Sequence, residues 1–423
     1  MIAMKESGIE WIGQIPQNWN IVRLGALASM IVPMRDKPTS FDGDIPWIRI
    51  EDFDGMYISK SKSEQNVSAE LIKQMNMKIY PVGTVLCSCS CNLGKCAITT
   101  VPMCSNQTFI GVVPRGDLHN RFLYYVLSAS EKILNNMSQG AIQSYLSQQD
   151  FSKFKIAITD FESQIKIADF LDKKCTEIDS IISAKEKINE LLKERRQSII
   201  YEAVTKGLKP NASMKDSGIE WIGGIPEDWD VSKIKYSFSL IAGATPKSGN
   251  SDYWDGDIVW ITPADYTTED KYVSYGHKNI TVDGLNSCAT TVVPEGSIIF
   301  SKRAPVGLVA INKVPLCTNQ GCIACVPYDN TDSNFYYYAM SAFSEQFELY
   351  ASGTTFKEIS AEAFANFVLP NPSFEEQKTI SEYLDEKCVE IDSLISANNS
   401  TIEKLKEYRQ SVIYEAVTGK IEI

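Results

Sequence analysis

Eleven cysteines and two histidines are among the residues of this chain that could hold a metal or activate a nucleophile. Cys87, Cys89, Cys91 and Cys96 fall close together, but their spacing alternates as a strand does and places the first three on one face. Structural zinc sites favour paired C-x-x-C ligands closed by a second pair or by His. Cys322 and Cys325 form a lone C-x-x-C inside an apolar run. Buried small hydrophobes account for all of these better, and no metal is expected. His119 and His277 are the only histidines, which removes most general-base, triad and zinc designs. None of the 24 glycines stands two positions from another, so the chain lacks the G-x-G turn that brings backbone close to a nucleotide or to S-adenosylmethionine. No G-x-x-x-x-G-K-[ST] loop for a triphosphate is present either. The expectation is a protein without catalytic residues or a cofactor of its own.

One near-miss concerns Asn371-Pro372-Ser373-Phe374, which is similar to the Asn-Pro-Pro-aromatic loop with which adenine methyltransferases hold the target amino group. Ser replaces the second Pro, and the same residues make a helix start. In Ser373-Phe374-Glu375-Glu376 a Ser at the N-cap and a Glu three residues later can satisfy exposed backbone N–H groups reciprocally.

The elements that would position any site are set by an internal repeat. Met4-Lys5-Glu6-Ser7-Gly8-Ile9-Glu10-Trp11-Ile12-Gly13 reappears as Met214-Lys215-Asp216-Ser217-Gly218-Ile219-Glu220-Trp221-Ile222-Gly223, shifted by 210. Further on the shift is 213, as between Asn106-Gln107 and Asn319-Gln320, and residues 164–204 match 377–417 at about 25 of 41 positions. Between the shared blocks the copies differ, for example Cys89-Ser90-Cys91 against Lys302-Arg303-Ala304.

Each copy opens with short β-rich runs broken by Pro and Gly, read as an α+β domain, and closes with a long helix. Leu171, Cys175, Ile178, Ile182, Ile188, Leu192, Ile199 and Ala203 mostly keep three- and four-residue steps. Leu384, Cys388, Ile391, Ile395, Ile402, Leu405, Val412 and Ala416 do likewise. About 40 residues make a rod of about 60 Å, too long for one small domain to cover. The two stripes are therefore expected to meet as an antiparallel coiled coil holding two globular heads apart, with helix–helix and partner contacts from Leu171, Ile178, Ile182, Leu192, Ile199, Leu384, Ile391, Ile395, Leu405 and Val412. Like units commonly pack about a pseudo-two-fold axis.

The chain has 423 residues, 44% hydrophobic and 22% charged, which suits a folded multidomain protein and excludes wholesale disorder. No apolar run approaches a bilayer span. The N-terminus lacks a basic-then-apolar leader, so a cytoplasmic protein with reduced cysteines is expected. The net charge is −12, which taken alone argues against a nucleic-acid partner.

With the duplication and helices in view, the chain resembles the specificity (S) subunit of type I restriction-modification enzymes. The residues that carry this are Ser217-Gly218-Ile219-Glu220-Trp221-Ile222-Gly223 with Ile225-Pro226 and Trp229. Gly243-Ala244-Thr245-Pro246 follows, with Tyr253-Trp254-Asp255-Gly256-Asp257-Ile258 and Trp260-Ile261. Next come Gly296-Ser297-Ile298-Ile299-Phe300-Ser301-Lys302-Arg303 and Cys317-Thr318-Asn319-Gln320. In the helix they are Glu376-Gln377, Ile380, Leu384-Asp385, Arg409-Gln410-Ser411 and Ile413-Tyr414-Glu415-Ala416-Val417-Thr418-Gly419. The first domain departs from the pattern, reading Val32-Pro33-Met34-Arg35 where the second has Gly243-Ala244-Thr245-Pro246.

The resemblance implies two target-recognition domains, residues 1–163 and 210–376, each reading one half of an asymmetric bipartite DNA site. It implies two spacer helices, 164–209 and 377–423. The implied partners are double-stranded DNA, two modification (M) subunits that carry S-adenosylmethionine and methylate adenine, and ATP-dependent restriction (R) subunits. No membrane is involved, and the chain itself is a non-catalytic subunit.

Within the dissimilar regions, side chains able to read base edges or phosphates are the candidate DNA contacts. In the second domain these are Lys247, Ser301, Lys302, Arg303, Thr354, Thr355 and Lys357. In the first they are Arg35, Lys37, Ser88, Ser90, Asn92, Lys95, Gln143 and Ser144. Asn106-Gln107 and Asn319-Gln320, common to both domains, are expected to be scaffold hydrogen bonders. The competing reading is a coiled-coil protein-interaction scaffold that never binds DNA; a self-contained adenine methyltransferase ranks third. The charge is uneven, since residues 214–376 carry 10 basic and 21 acidic groups and residues 1–163 carry 15 of each. A recognition domain that acidic is expected to rely on partners for phosphate contacts.

Overall fold

The structure is a computed structural model and describes residues 3–33, 37–90, 94–137, 146–352 and 357–423. The chain divides into two compact units, Met1–Lys185 with Asn399–Ile423, and Glu186–Asn398. These are not the two halves of the sequence repeat. Each long helix contributes one half to each unit, because an antiparallel pairing joins the start of one helix to the end of the other.

In the first unit a five-stranded sheet has the order Ala28–Ile31, Phe109–Pro114, Val85–Ser88, Cys96–Thr99, Tyr57–Ile58. Its central strands are buried throughout, as strands covered on both faces must be. Alternation sends Val85, Cys87, Ile98, Ile110 and Val112 to one face, against the helix Asn120–Ala129 and the long helices. Leu86, Ala97 and Phe109 go to the other, over Ile48, Phe53 and Tyr80. A three-stranded sheet of Cys104–Ser105, Ile45–Ile48 and Asn66–Val67 lies beyond. Strand Lys155–Ile158 pairs antiparallel with Asn20–Arg23 and then runs into the first long helix, Phe161–Lys206.

The second unit repeats this plan. Its five strands are Phe238–Ala242, Cys322–Pro327, Ile298–Ser301, Val309–Asn312 and Tyr272–Val273, and its three are Lys278–Ile280, Trp254–Ile261 and Cys317–Thr318. Val368–Asn371 pairs with Asp230–Lys233 and leads into the second long helix, Phe374–Val417. The fold is α+β with an internal repeat, as the sequence pattern implies. Among the described residues no helix is long and apolar enough to cross a membrane.

The repeated Ser-Gly-Ile-Glu-Trp-Ile-Gly block is a closed turn. Gly8, Gly13, Gly218 and Gly223 have φ of 67 to 70°, where a side chain would strain the backbone, and the Ser7 and Ser217 hydroxyls accept from the N–H of Ile9 and Ile219 at 3.1 Å. The turn seats a helix end. In the first unit the Tyr414 phenol donates to the Ile12 carbonyl at 3.2 Å, and in the second the Tyr201 phenol reaches the Trp221 and Ile222 carbonyls at 3.3 Å.

Helix starts follow one design in both units. Gln164 and Gln377 are buried, at 0% and 1% exposure, with every amide group engaged. Gln164 Nε2 donates to the Asp117 and Thr159 carbonyls at 2.8 Å while Oε1 accepts from His119 N at 2.9 Å. Gln377 repeats this with the Pro372 carbonyl and Asp332 N. The reciprocal cap expected at Ser373 forms in half: Ser373 Oγ accepts from Glu376 N at 3.4 Å, while the Glu376 carboxylate lies 3.3 Å from Lys209 Nζ.

The helices pair antiparallel within each unit. In the first, Ile178 and Ile182 pack with Ile402 and Leu405, and Leu171 and Cys175 join a core with Val412, Ile413 and Ala416. In the second, Ile200, Ala203 and Val204 share a core with Ile380, Leu384 and Cys388. The apolar stripe needs correction in detail. Leu192, Ile199, Ile395 and Leu405 are only half-buried, and Ile188 is exposed. Ile200 takes the seam place expected of Ile199, because the preceding turn places Arg196 on the seam, where it faces Asp392 at 3.3 Å.

Candidate nucleic-acid interface

In the second unit the blocks that differ from the first domain converge on Asn319-Gln320-Gly321. Ala244 N donates to the Thr318 carbonyl and Trp260 Nε1 to the Ala244 carbonyl, each at 3.0 Å. The Thr245 hydroxyl donates to the Gln320 side-chain oxygen. A Cβ at Gly243 would fall 2.2 Å from the Asn319 carbonyl oxygen, so only glycine allows this approach. Gly321 N donates to Asn319 Oδ1 at 2.8 Å, and Lys302 N donates to the Gly321 carbonyl at 2.9 Å. Ile359 N donates to the Lys302 carbonyl at 3.0 Å. The loops around 245, 302 and 358 are thereby fixed to one edge of the domain.

The first unit has the same frame with other side chains. Cys89 N donates to the Thr108 carbonyl at 2.8 Å and Leu146 N to the Cys89 carbonyl at 2.9 Å, so Cys89 stands where Lys302 stands and Ser90 where Arg303 stands. Asn106 Oδ1 accepts from Thr108 N at 3.1 Å. Asn106 and Asn319 thus hold the same turn in both copies.

The candidate contacts separate into three groups. Lys37, Lys95, Lys247 and Lys357 are exposed, Lys37 lying 5.8 Å over the Phe41 ring and Lys357 Nζ 3.9 Å from Glu348. Lys302 and Arg303 both lie 2.9 Å from the Glu358 carboxylate, with side chains 16% and 46% exposed. Ser88 and Ser301 are buried, and the Ser301 hydroxyl bonds at 2.8 Å to the Arg303 and Pro305 carbonyls; in this conformation neither offers surface to a base. Both end strands that are buried throughout. The Ser90 Oγ is buried without a hydrogen-bond partner among the described residues. Arg35, Asn92, Gln143, Ser144, Thr354 and Thr355 lie outside the described residues.

Sequence reasoning missed three carboxylates and a basic, aromatic loop. Asp52, 4% exposed, accepts from the N–H of Arg49 and Lys62 at 2.7 Å. Asp265, with a side chain 3% exposed, accepts from Thr262 N and His277 N at 2.7 Å and lies 2.5 Å from His277 Nδ1. Burial raises the Asp265 pKa, but the hydrogen bonds from Thr262 and His277 outweigh it and hold the carboxyl below the usual range. Both aspartates stand five residues after the repeated Trp47 and Trp260, a spacing visible in the sequence. They pin the loops beside the edge described above, where exposed His277 and Lys278 border a pocket floored by Trp260 and Thr262. The other missed residue is Glu358.

The described cysteines are packing residues. Of the ten, all but Cys288 are buried. Cys322 and Cys325 face different cores across one strand, as an odd spacing requires. Burial pushes Cys104 and Cys322 up to about 12 and Cys317 to about 11. Among the described residues no group of His, Cys, Asp and Glu could hold a metal.

Comparison with known proteins agrees with this arrangement. The profile of the type I restriction modification DNA specificity domain matches twice, at residues 16–193 and 226–406. The chain is 41% identical over 166 residues to the type I restriction enzyme MjaIX specificity subunit of Methanocaldococcus jannaschii, a match covering 38% of each chain. Against the putative MjaX specificity subunit of the same organism it is 26% identical over 97% of this chain and 96% of the relative. Two solved structures share the fold. One, from work on complex assembly and conformational transition of the type I R-M system, aligns with a TM-score of 0.74 at 18% identity over 96% of this chain and 99% of that one. The other, the HsdS subunit from Thermoanaerobacter tengcongensis, gives 0.56 at 19% identity over 96% and 98%. A paired domain match over most of the chain, on a frame that presents different side chains in each copy, places this protein in the type I restriction-modification DNA specificity family.

Proposed function

We propose that this chain is the specificity subunit of a type I restriction-modification system and reads a bipartite, asymmetric DNA site. Residues 1–163 and 210–376 are its two recognition domains, and helices 164–209 and 377–423 set the spacing. The observation that carries the reading is one frame bearing Cys89-Ser90 in the first domain and Lys302-Arg303 in the second. Equal folds with unequal edges suit two different half-sites. The chain supplies recognition, and partner subunits supply chemistry: two modification subunits methylate adenine, and restriction subunits join them for cleavage. Exposed Ile188, Leu191, Val389 and Leu394 on the helical part of the second unit give a modification subunit apolar side chains to dock on. A scaffold without DNA binding would have no use for two dissimilar edges on one frame.

The test is to copurify the chain with its modification subunit and sequence the methylated adenines. A bipartite motif is expected that changes in one half only when residues 214–376 are exchanged for those of a relative. Methylation by the chain alone would contradict the reading.

A further inference from the structure

Arg303 and Glu358 face each other across an antiparallel bridge. Arg303 Nε donates to Glu358 Oε2 at 2.9 Å, and Lys302 Nζ lies 2.9 Å from Oε1. The three side chains differ in exposure, at 16% for Lys302, 35% for Glu358 and 46% for Arg303. The carboxylate is held on one oxygen by a covered ammonium and on the other by an open guanidinium. A guanidinium carries five donors in one rigid plane. Anchored through Nε, it keeps its Nη1/Nη2 end available, and that end has no partner among the described residues. Two parallel donors on a fixed plane match O6 and N7 of guanine in the major groove. Lys302 is a covered point charge and cannot offer that fork; its part is to complete the carboxylate that steadies Arg303.

The geometry points to Arg303 as a guanine reader for the half-site of the second domain, with Glu358 as its positioning residue. This rests on the DNA-specificity reading above. Without Glu358 the guanidinium keeps its charge and loses its aim, so base discrimination falls while attraction to phosphate remains. The first domain cannot share this reader, since buried Cys89 and half-buried Ser90 occupy the equivalent positions.

The test uses the complex with the modification subunit and compares methylated motifs for the unaltered chain, Arg303→Lys and Glu358→Ala. The half-site of the second domain is expected to contain a G·C pair. Both variants should lower discrimination at that one position by roughly ten- to hundredfold, leave the other half-site unchanged, and leave the salt dependence of binding to a random-sequence duplex unchanged in Arg303→Lys. Thermal unfolding checks that each variant is folded, and Glu358→Gln, which retains an acceptor for Nε, stands in if the alanine variant is not; it should discriminate better than Arg303→Lys. A half-site without G·C, relaxation at different positions in the two variants, or a uniform loss across all sequences would overturn the inference. A folded complex that methylates with no sequence preference would overturn the DNA-specificity reading and this inference with it.

Discussion

The guanidinium of Arg196 stands 3.3 Å from the carboxylate of Asp392, joining the end of the first long helix to the start of the second. Its repeat counterpart, Arg409 with Asp179 at 3.0 Å, does the same in the other unit. Each arginine meets the aspartate of the opposite repeat, as an antiparallel pairing demands. Asp392 and Asp179 are 56% and 54% exposed, so screening keeps each pair weak. Double-mutant cycles on 196/392 and on 179/409 should give couplings of about 0.5 kcal/mol, while the cycle 179/196, within one helix, should give none. A coupling in 179/196 would refute the pairing.

A polar pair breaks the repeat. Asn398 Nδ2 donates to Asn189 Oδ1 at 3.0 Å, and Asn189 is 9% exposed, whereas the repeat counterpart of Asn189 is buried Ile402. One buried amide pair in a helical seam fixes register at a cost in stability. Asn189→Ile alone should lower the melting temperature, and Asn189→Ile with Asn398→Ile should restore or exceed it, as read by calorimetry.

If the helices set the spacing of the half-sites, length changes must be matched on both strands of the pair. Seven residues inserted beside Asn189 together with seven beside Asn398 add about 10 Å of helix, or about three base pairs at 3.4 Å each. The methylated motif should keep both half-sites and widen its gap by that amount. An altered half-site with an unchanged gap would contradict the ruler role.

Asp265 links the order of the 262–277 segment to pH. Its folded pKa lies below the ordinary carboxylate value, so its contribution is fully present above the unfolded-state pKa and is lost as pH falls through the lower folded one. Asp265→Asn should destabilise the second unit near neutrality by about 1–3 kcal/mol, the cost of weakening a buried, charged acceptor. It should also flatten the acid limb of stability against pH; chemical unfolding between pH 7 and pH 2 reads both.

Charge argues for partners at the phosphates. With 10 basic against 21 acidic groups in residues 214–376, and Lys302 and Arg303 already sharing Glu358, few cations are left to displace counterions. The lone chain should bind its target weakly, and adding the modification subunit should raise affinity and steepen the salt dependence. Tight, specific binding by the lone chain at physiological salt would refute this.

The repeat, the α+β domains, the long helices and the family blocks were legible in the sequence, because periodicity, capping residues and duplicated motifs are local. Ser217 and Gly218 announce a turn, and Leu384 and Cys388 a buried stripe, whatever lies around them. What sequence could not decide was partnership. That Ser301 is sealed by two carbonyls, that Ile200 displaces Ile199, and that Glu358 binds Lys302 and Arg303 all depend on groups brought together from distant positions. The compact units likewise cross the repeat boundary, because each half-helix buries its apolar face only against the half of its partner that antiparallel pairing supplies. Local pattern fixes which elements form; only tertiary packing decides which side chains remain free to meet a base.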